Sequence, residues 1–271
     1  MSIQASIITI GDELLIGQVI DTNSAFIAQQ LNTIGVSVKH RVAVGDNAKD
    51  ITEALDLAIS QNNVVILTGG LGPTADDITK PLLTSYFGGK ITLHQPTLDH
   101  ITHIFEQIHK KPMIDRNRKQ AEVPDVCEVL FNEKGTAPGM LFNKLNTLIF
   151  SLPGVPHEMK WLMTEAVIPR IKSHFKTSPI CHRTLLTAGI GESFLAELIN
   201  DFESSLPNEI KLAYLPNYGM VRLRLTGSGT DEKALNTQLD QLFISLKELV
   251  KDYLVTDQDE TMEVVVGKML K

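Results

Sequence analysis

Carboxylates follow short apolar runs three times early in the chain. Asp12 and Glu13 come after residues 6–10, Asp46 after 36–44, and Asp76 and Asp77 after 64–68. In an α/β domain, loops leaving the carboxyl ends of parallel strands converge on one edge, where ligands bind. Several acids on one edge suit a hard cation such as Mg²⁺, which prefers oxygen ligands and keeps part of its water shell. Asp12, Asp46 and Asp77 are the candidate metal ligands. Asp is also a favoured helix cap, so Asp46 and Asp77 taken singly fit a capping role as well. The third loop reads Thr68-Gly69-Gly70-Leu71-Gly72-Pro73-Thr74. Its glycines let backbone N–H groups approach an anion with no Cβ in the way. It is not a Walker A loop, because no Gly-Lys-Ser/Thr ends it. It is not a dinucleotide fingerprint either, because no G-x-G-x-x-G follows the first strand.

Two further stretches carry glycine. Gly135-Thr136-Ala137-Pro138-Gly139 lies just past a basic cluster of Lys110, Lys111, Arg116, Arg118 and Lys119. Ser151-Leu152-Pro153-Gly154-Val155-Pro156-His157-Glu158 joins a strand to a helix, and its plain reading is a connector. Glu158 falls in the first helical turn, where negative charge is favoured. His94, His100, His103 and His109 lack a further soft ligand at zinc spacing and read as surface residues. Met159, Trp161 and Met163 fit helix packing. Cys127 and Cys181 cannot form a disulfide framework or a cysteine-only zinc site.

The elements that would position these residues follow from apolar periodicity. Strands are predicted over 6–10, 36–44 and 64–68, with helices over 24–34, capped by Asn23, and 48–60 between them. That alternation is the signature of an α/β domain with a mostly parallel sheet. Helices are predicted over 95–109 and 156–175, the latter bent near Pro169. Short strands are predicted over 127–130, 140–142 and 147–152. From about residue 176 the pattern changes to β-α-β-β-α, which predicts a smaller α+β domain after a linker at 176–179. The 271 residues thus divide into domains over 1–175 and 176–256, and 257–271 read as a helix just starting. A formal charge of −7 disfavours a globally basic nucleic-acid binder. No basic region precedes a long apolar stretch, and no run approaches a membrane span, so a cytoplasmic protein is expected.

The motifs GDELLIGQVIDTN, TGGLGPTADDIT, NRKQAEVP, GTAPG and LPGVPHEM, in this order, resemble those of the CinA (competence/damage-inducible) family. The first domain is similar to the MoaB/MogA/gephyrin-type molybdopterin-binding fold, and the second resembles a KH-like region. The resemblance implies a three-layer αβα domain, homodimeric, that binds a nucleotide or pterin phosphate. It implies metal-dependent ADP-ribose pyrophosphatase activity, with molybdopterin binding or adenylyl transfer as the alternative. The implied cofactor is Mg²⁺, with another divalent ion or K⁺ in addition as a variant. Asp46 and Asp77 match acids that serve catalysis in the molybdopterin-type relatives. Gly69, Gly70, Gly72 and Thr74 match the phosphate-facing loop. Asn117, Lys119, Gly135, Thr136 and Gly139, with Pro153 and Gly154, match the remaining motifs and are expected to bind substrate. The family's amidase activity belongs to a further domain, to which 257–271 resemble the lead-in and which is absent from this chain, so that activity is not carried over. Nucleic-acid binding through the second domain would need a GXXG loop. Gly189-Ile190-Gly191-Glu192 and Gly227-Ser228-Gly229 lack that spacing.

Overall fold

The computed structural model describes residues 3–74 and 76–270, in two compact units divided between Thr177 and Ser178. In the first unit the chain runs β1 (Gln4–Ile10), α1 (Asp12–Leu15), α2 (Thr22–Thr33), β2 (Ser37–Val44), α3 (Ala48–Gln61), β3 (Val64–Thr68) and α4 (Thr79–Tyr86). It continues through β4 (Ile91–Leu93), α5 (Gln95–Thr102), α6 (Asp115–Arg118), β5 (Glu122–Pro124), β6 (Glu128–Leu130), β7 (Gly139–Lys144), β8 (Thr147–Leu152), α7 (Pro156–Leu162) and α8 (Ile168–His174).

The main sheet has the order β2-β1-β3-β8-β7-β6. β2, β1, β3 and β8 are parallel, and β7 and β6 are antiparallel. Helices cover both faces, giving the three layers expected. Side chains alternate across a strand: in β3, Val64 and Ile66 join the core beneath α2 and α7, while Val65 and Leu67 join the core beneath α3. Both faces are dry, so the strand is an unbroken apolar run. β2 is an edge strand, and most of it is exposed.

Local structure departs from expectation at several points. The cap of α2 is Asp21, not Asn23: its carboxylate accepts from the Ser24 amide at 2.9 Å and from the Thr9 hydroxyl at 3.1 Å. The predicted helix over 95–109 passes into a π-helical stretch at His103–Ile108. A second π-helical stretch, Met163–Val167, lies just before Pro169, where a bend was expected. Proline lacks an N–H and crowds the carbonyl of the preceding turn, which a widened turn relieves. β4 and β5, both absent from the sequence prediction, pair as a separate antiparallel ribbon.

The second unit contains β9 (Ile180–Ala188), α9 (Glu192–Leu198), α10 (Asn200–Ser204), β10 (Ile210–Asn217), β11 (Met220–Ser228), α11 (Glu232–Leu249), β12 (Leu254–Thr256) and α12 (Met262–Met269). Its antiparallel sheet has the order β10-β11-β9-β12. Leu185, Leu223 and Leu225 meet Leu235, Leu239 and Leu246 of α11 in its core. Residues 257–270, within the stretch expected as a lead-in, fall within this unit. Arg222 donates to the Glu260 carbonyl at 2.8 Å, and Lys247 bonds Asp257 at 2.9 Å.

Candidate functional site at the strand ends

The carboxyl ends of β1, β3 and β8 are stitched together by main-chain contacts. The Gly69 amide donates to the Leu152 carbonyl at 3.1 Å, and the Thr68 hydroxyl to the Pro153 carbonyl at 2.9 Å. Gly69 adopts φ +119°, and a Cβ there would lie 2.3 Å from the Ile10 carbonyl oxygen. Only glycine lets β3 turn this tightly against β1. Gly70, at φ +65°, leaves no room for a Cβ beside the buried Thr79 hydroxyl, and its carbonyl accepts from the Thr79 amide at 3.2 Å.

Asp77 holds the next turn. Its carboxylate accepts from the amides of Gly72 and Thr74, both at 2.8 Å, and from the Thr74 hydroxyl at 2.5 Å. A carboxylate taking this many donors is committed to shaping its loop. The amides of Gly70 and Leu71 have no acceptor among the described residues.

Asp12 and Asp46 clasp one another. The Asp12 amide donates to Asp46 Oδ2 at 3.1 Å, and the Asp46 amide to Asp12 Oδ1 at 3.2 Å. Burial raises the Asp46 carboxyl above the usual range; the Asp12 amide opposes this, and the negative charges of Asp12, Glu13 and Asp76 add to it. Across the site, Glu158 is 8% exposed and accepts from Asn132 Nδ2 at 2.5 Å. Burial pushes its carboxyl up, with the Asn132 bond acting against that. A Cβ on Gly135 would lie 2.0 Å from the Glu158 carboxyl carbon, so the loop backbone lies directly against it.

A cavity of about 360 Å³ opens between these elements. Asp46, Gly69, Gly70, Gly72 and Asp77 line it, and Thr136, Pro153 and Gly154 close the opposite wall. Thr74 and Lys119 instead line a neighbouring cavity of about 480 Å³. Asn117 is not among the residues lining either cavity. Gly135 acts through its contact with Glu158. Gly139 begins β7, where a Cβ would press on Leu130 and Leu152 at 3.2–3.3 Å, a packing position. Asp12 reaches the site through Asp46. The sequence reading did not assign Gln120 or Glu158 to the site, and it named Glu13 and Asp76 only as neighbouring acids; all four line the first cavity.

Asp12, Asp46 and Asp77 are not drawn into one ligand set. Among the described residues no group of three or more His, Cys, Asp or Glu side chains is placed to hold a metal. The crowding of Asp46 by Glu13 and Asp76 fits a cation brought in with phosphate oxygens. Mg²⁺ is commonly held that way, by one or two carboxylates plus substrate and water.

Residues 6–173 match the family model described as a probable molybdopterin binding domain, and residues 182–256 match that of the damage-inducible protein CinA KH domain. The chain belongs to the CinA-like family. It is 48% identical over 98% of its length to a CinA-like protein of Flavobacterium psychrophilum, and 43% identical over 99% to one of Cytophaga hutchinsonii. It spans 64% of the length of each of these relatives. A crystal structure of the protein CinA from Thermoplasma acidophilum superposes with a TM-score of 0.54 at 31% identity, covering 64% of this chain and 97% of that one. Among the described residues of this CinA-like chain, no helix is long and apolar enough to cross a membrane.

Proposed function

We propose that the first domain hydrolyses the phosphoanhydride of a nucleoside diphosphate compound of the ADP-ribose class. The observation that carries this reading is the turn at Gly69–Gly72, with amides of Gly70 and Leu71 left for an anion, facing the raised Asp46 carboxyl across one cavity. Mg²⁺, brought in with the phosphate oxygens and held by Glu13 or Asp76, would supply positive charge to them. The chain's own groups position the reactants. Loop amides donate to the diphosphate, and Asp46 accepts a proton from the attacking water as its oxygen bonds to phosphorus and the P–O–P bridge breaks. A carboxyl whose proton affinity is raised is the better base near neutral pH. Asp77 shapes the loop, since its oxygens already serve Gly72 and Thr74. The test is hydrolysis of a panel of nucleotide-sugar diphosphates with and without Mg²⁺. Release of AMP and ribose 5-phosphate from ADP-ribose only with metal supports the reading, and no turnover of any member refutes it.

The match to a probable molybdopterin-binding model favours a second reading, pterin-phosphate binding or adenylyl transfer. Parallel titrations with molybdopterin and ADP-ribose separate the two. Self-association is proposed as well. Leu15, Ile16 and Ile20 are 56%, 75% and 83% exposed just after the first strand. Contiguous exposed apolar residues of this kind mark interaction surfaces. Sedimentation of wild type against Ile16→Asp and Ile20→Asp tests whether this patch joins two copies.

A further inference from the structure

The first cavity holds carboxylates and main chain and is lined by no Lys or Arg, yet a phosphorylated ligand is a polyanion. The cationic side chains lie on the other side of the same loop. Gly72, Pro73 and Asp77 line both cavities, and the second is also lined by Lys80, Arg116 and Lys119, interspersed with Asp115 and Glu122. Lys80 is the unusual member. It is 9% exposed, and its ammonium donates to the main-chain carbonyls of Lys119 at 3.3 Å and Gln120 at 3.2 Å. An ammonium has three donors, so one remains with no acceptor among the described residues. Burial lowers the Lys80 ammonium to about 8, opposed through space by Glu122, Asp77 and Cys127. A buried charge is costly unless a counter-charge meets it. Glu122, the strongest counter-charge to Lys80 and half-buried on the cavity wall, makes no ion pair with it among the described residues, and the charge of Asp77 is already met by the loop amides. Asp115, which also lines the cavity, is exposed and screened by solvent. The bonds from Lys80 also fix the turn Lys119–Ala121, from which Lys119 lines one cavity and Gln120 the other.

We propose that the second cavity is a phosphate subsite, with Lys80 at its floor and Arg116 and Lys119 on its walls. The ligand then straddles the loop, with its diphosphate between Lys80 on one side and the Gly70 and Leu71 amides on the other, and its hydrogen-bond-donating part beside Glu158. The inference rests on the reading that the domain takes a phosphorylated ligand, but not on hydrolysis.

The experiment is a metal-free calorimetric titration of the whole chain with inorganic pyrophosphate, which reads occupancy without turnover. Wild type binds. Lys80→Met and Lys119→Met each weaken binding at least tenfold, while Lys80→Arg retains it. Wild-type binding falls relative to Lys80→Arg as the pH is raised through about 8. Wild-type affinity in both Met variants, or no metal-free binding by wild type, overturns the proposal. If Lys80→Met fails to fold, judged by circular dichroism, the Arg variant decides: an alkaline fall identical to wild type also overturns it. Failure of ADP-ribose hydrolysis with pyrophosphate binding intact removes the hydrolase reading and leaves the subsite.

Discussion

The two domains use the same ingredients, a sheet and amphipathic helices around a dry core, but dispose their strand ends differently. In the first, β1, β3 and β8 run parallel, so Gly11, Gly69 and Pro153 emerge at one edge, where the Gly69 amide bonds the Leu152 carbonyl and the Thr68 hydroxyl the Pro153 carbonyl. In the second, every pairing is antiparallel, so successive ends alternate between edges. The β10–β11 hairpin closes on a tight turn with Gly219 at φ +67° and Tyr218 almost fully exposed. Parallel connections concentrate loops and antiparallel hairpins disperse them. The candidate chemistry accordingly gathers in the first domain.

Substitutions at the two places should therefore separate ligand binding from stability, and ADP-ribose titration alongside thermal melts measures both. Gly69→Ala has the largest expected effect. Its Cβ would strike the Ile10 carbonyl, so binding should be abolished, with a stability loss above ~2 kcal/mol. Asp77→Asn follows. It replaces an acceptor with a donor facing amide donors, so we expect roughly tenfold weaker binding and a cost of about 1–3 kcal/mol. A fall in turnover with no change in stability would instead make Asp77 a reacting group. Asp46→Asn should change binding a few-fold. Its folded carboxyl titrates above the ordinary value, so its charge opposes folding at neutral pH and that opposition vanishes once the acid is protonated in both states. The Asn variant should thus melt higher than wild type at pH 7, with the gain disappearing below the ordinary Asp value of about 3.9. Leu223→Ala should leave binding unchanged while costing the second domain ~2–5 kcal/mol, because Leu223 is fully buried in its core. Weakened binding in that variant would break the division of labour.

Strands packed on both faces were legible in the sequence because dryness on both sides leaves an unbroken apolar run, as in β3. β4 and β12 were not, since short edge strands with exposed or half-exposed side chains carry no such pattern. The cap of α2 turned on a tertiary contact: Asp21 and Asn23 are both good caps, and the Thr9 hydroxyl reaches Asp21. The glycine turn and Asp46 were legible by type and position. Glu158 and Lys80 were not, because a carboxylate in a helix's first turn and a lysine after a threonine look ordinary. Each is distinguished by main chain folded over it from elsewhere, the loop around Gly135 in one case and the turn at Lys119–Ala121 in the other.

The clasp between Asp12 and Asp46 bears on how this edge can be altered. Each aspartate's side chain closes the other's loop, and a Cβ at Gly45 would lie 2.5 Å from Asp12 Oδ1. The two loops therefore share one length constraint: an insertion or deletion in either would unseat both. A redesign of the pocket must graft them as a matched pair, just as the wall at Thr136 must travel with Glu158, against which the Gly135 backbone packs.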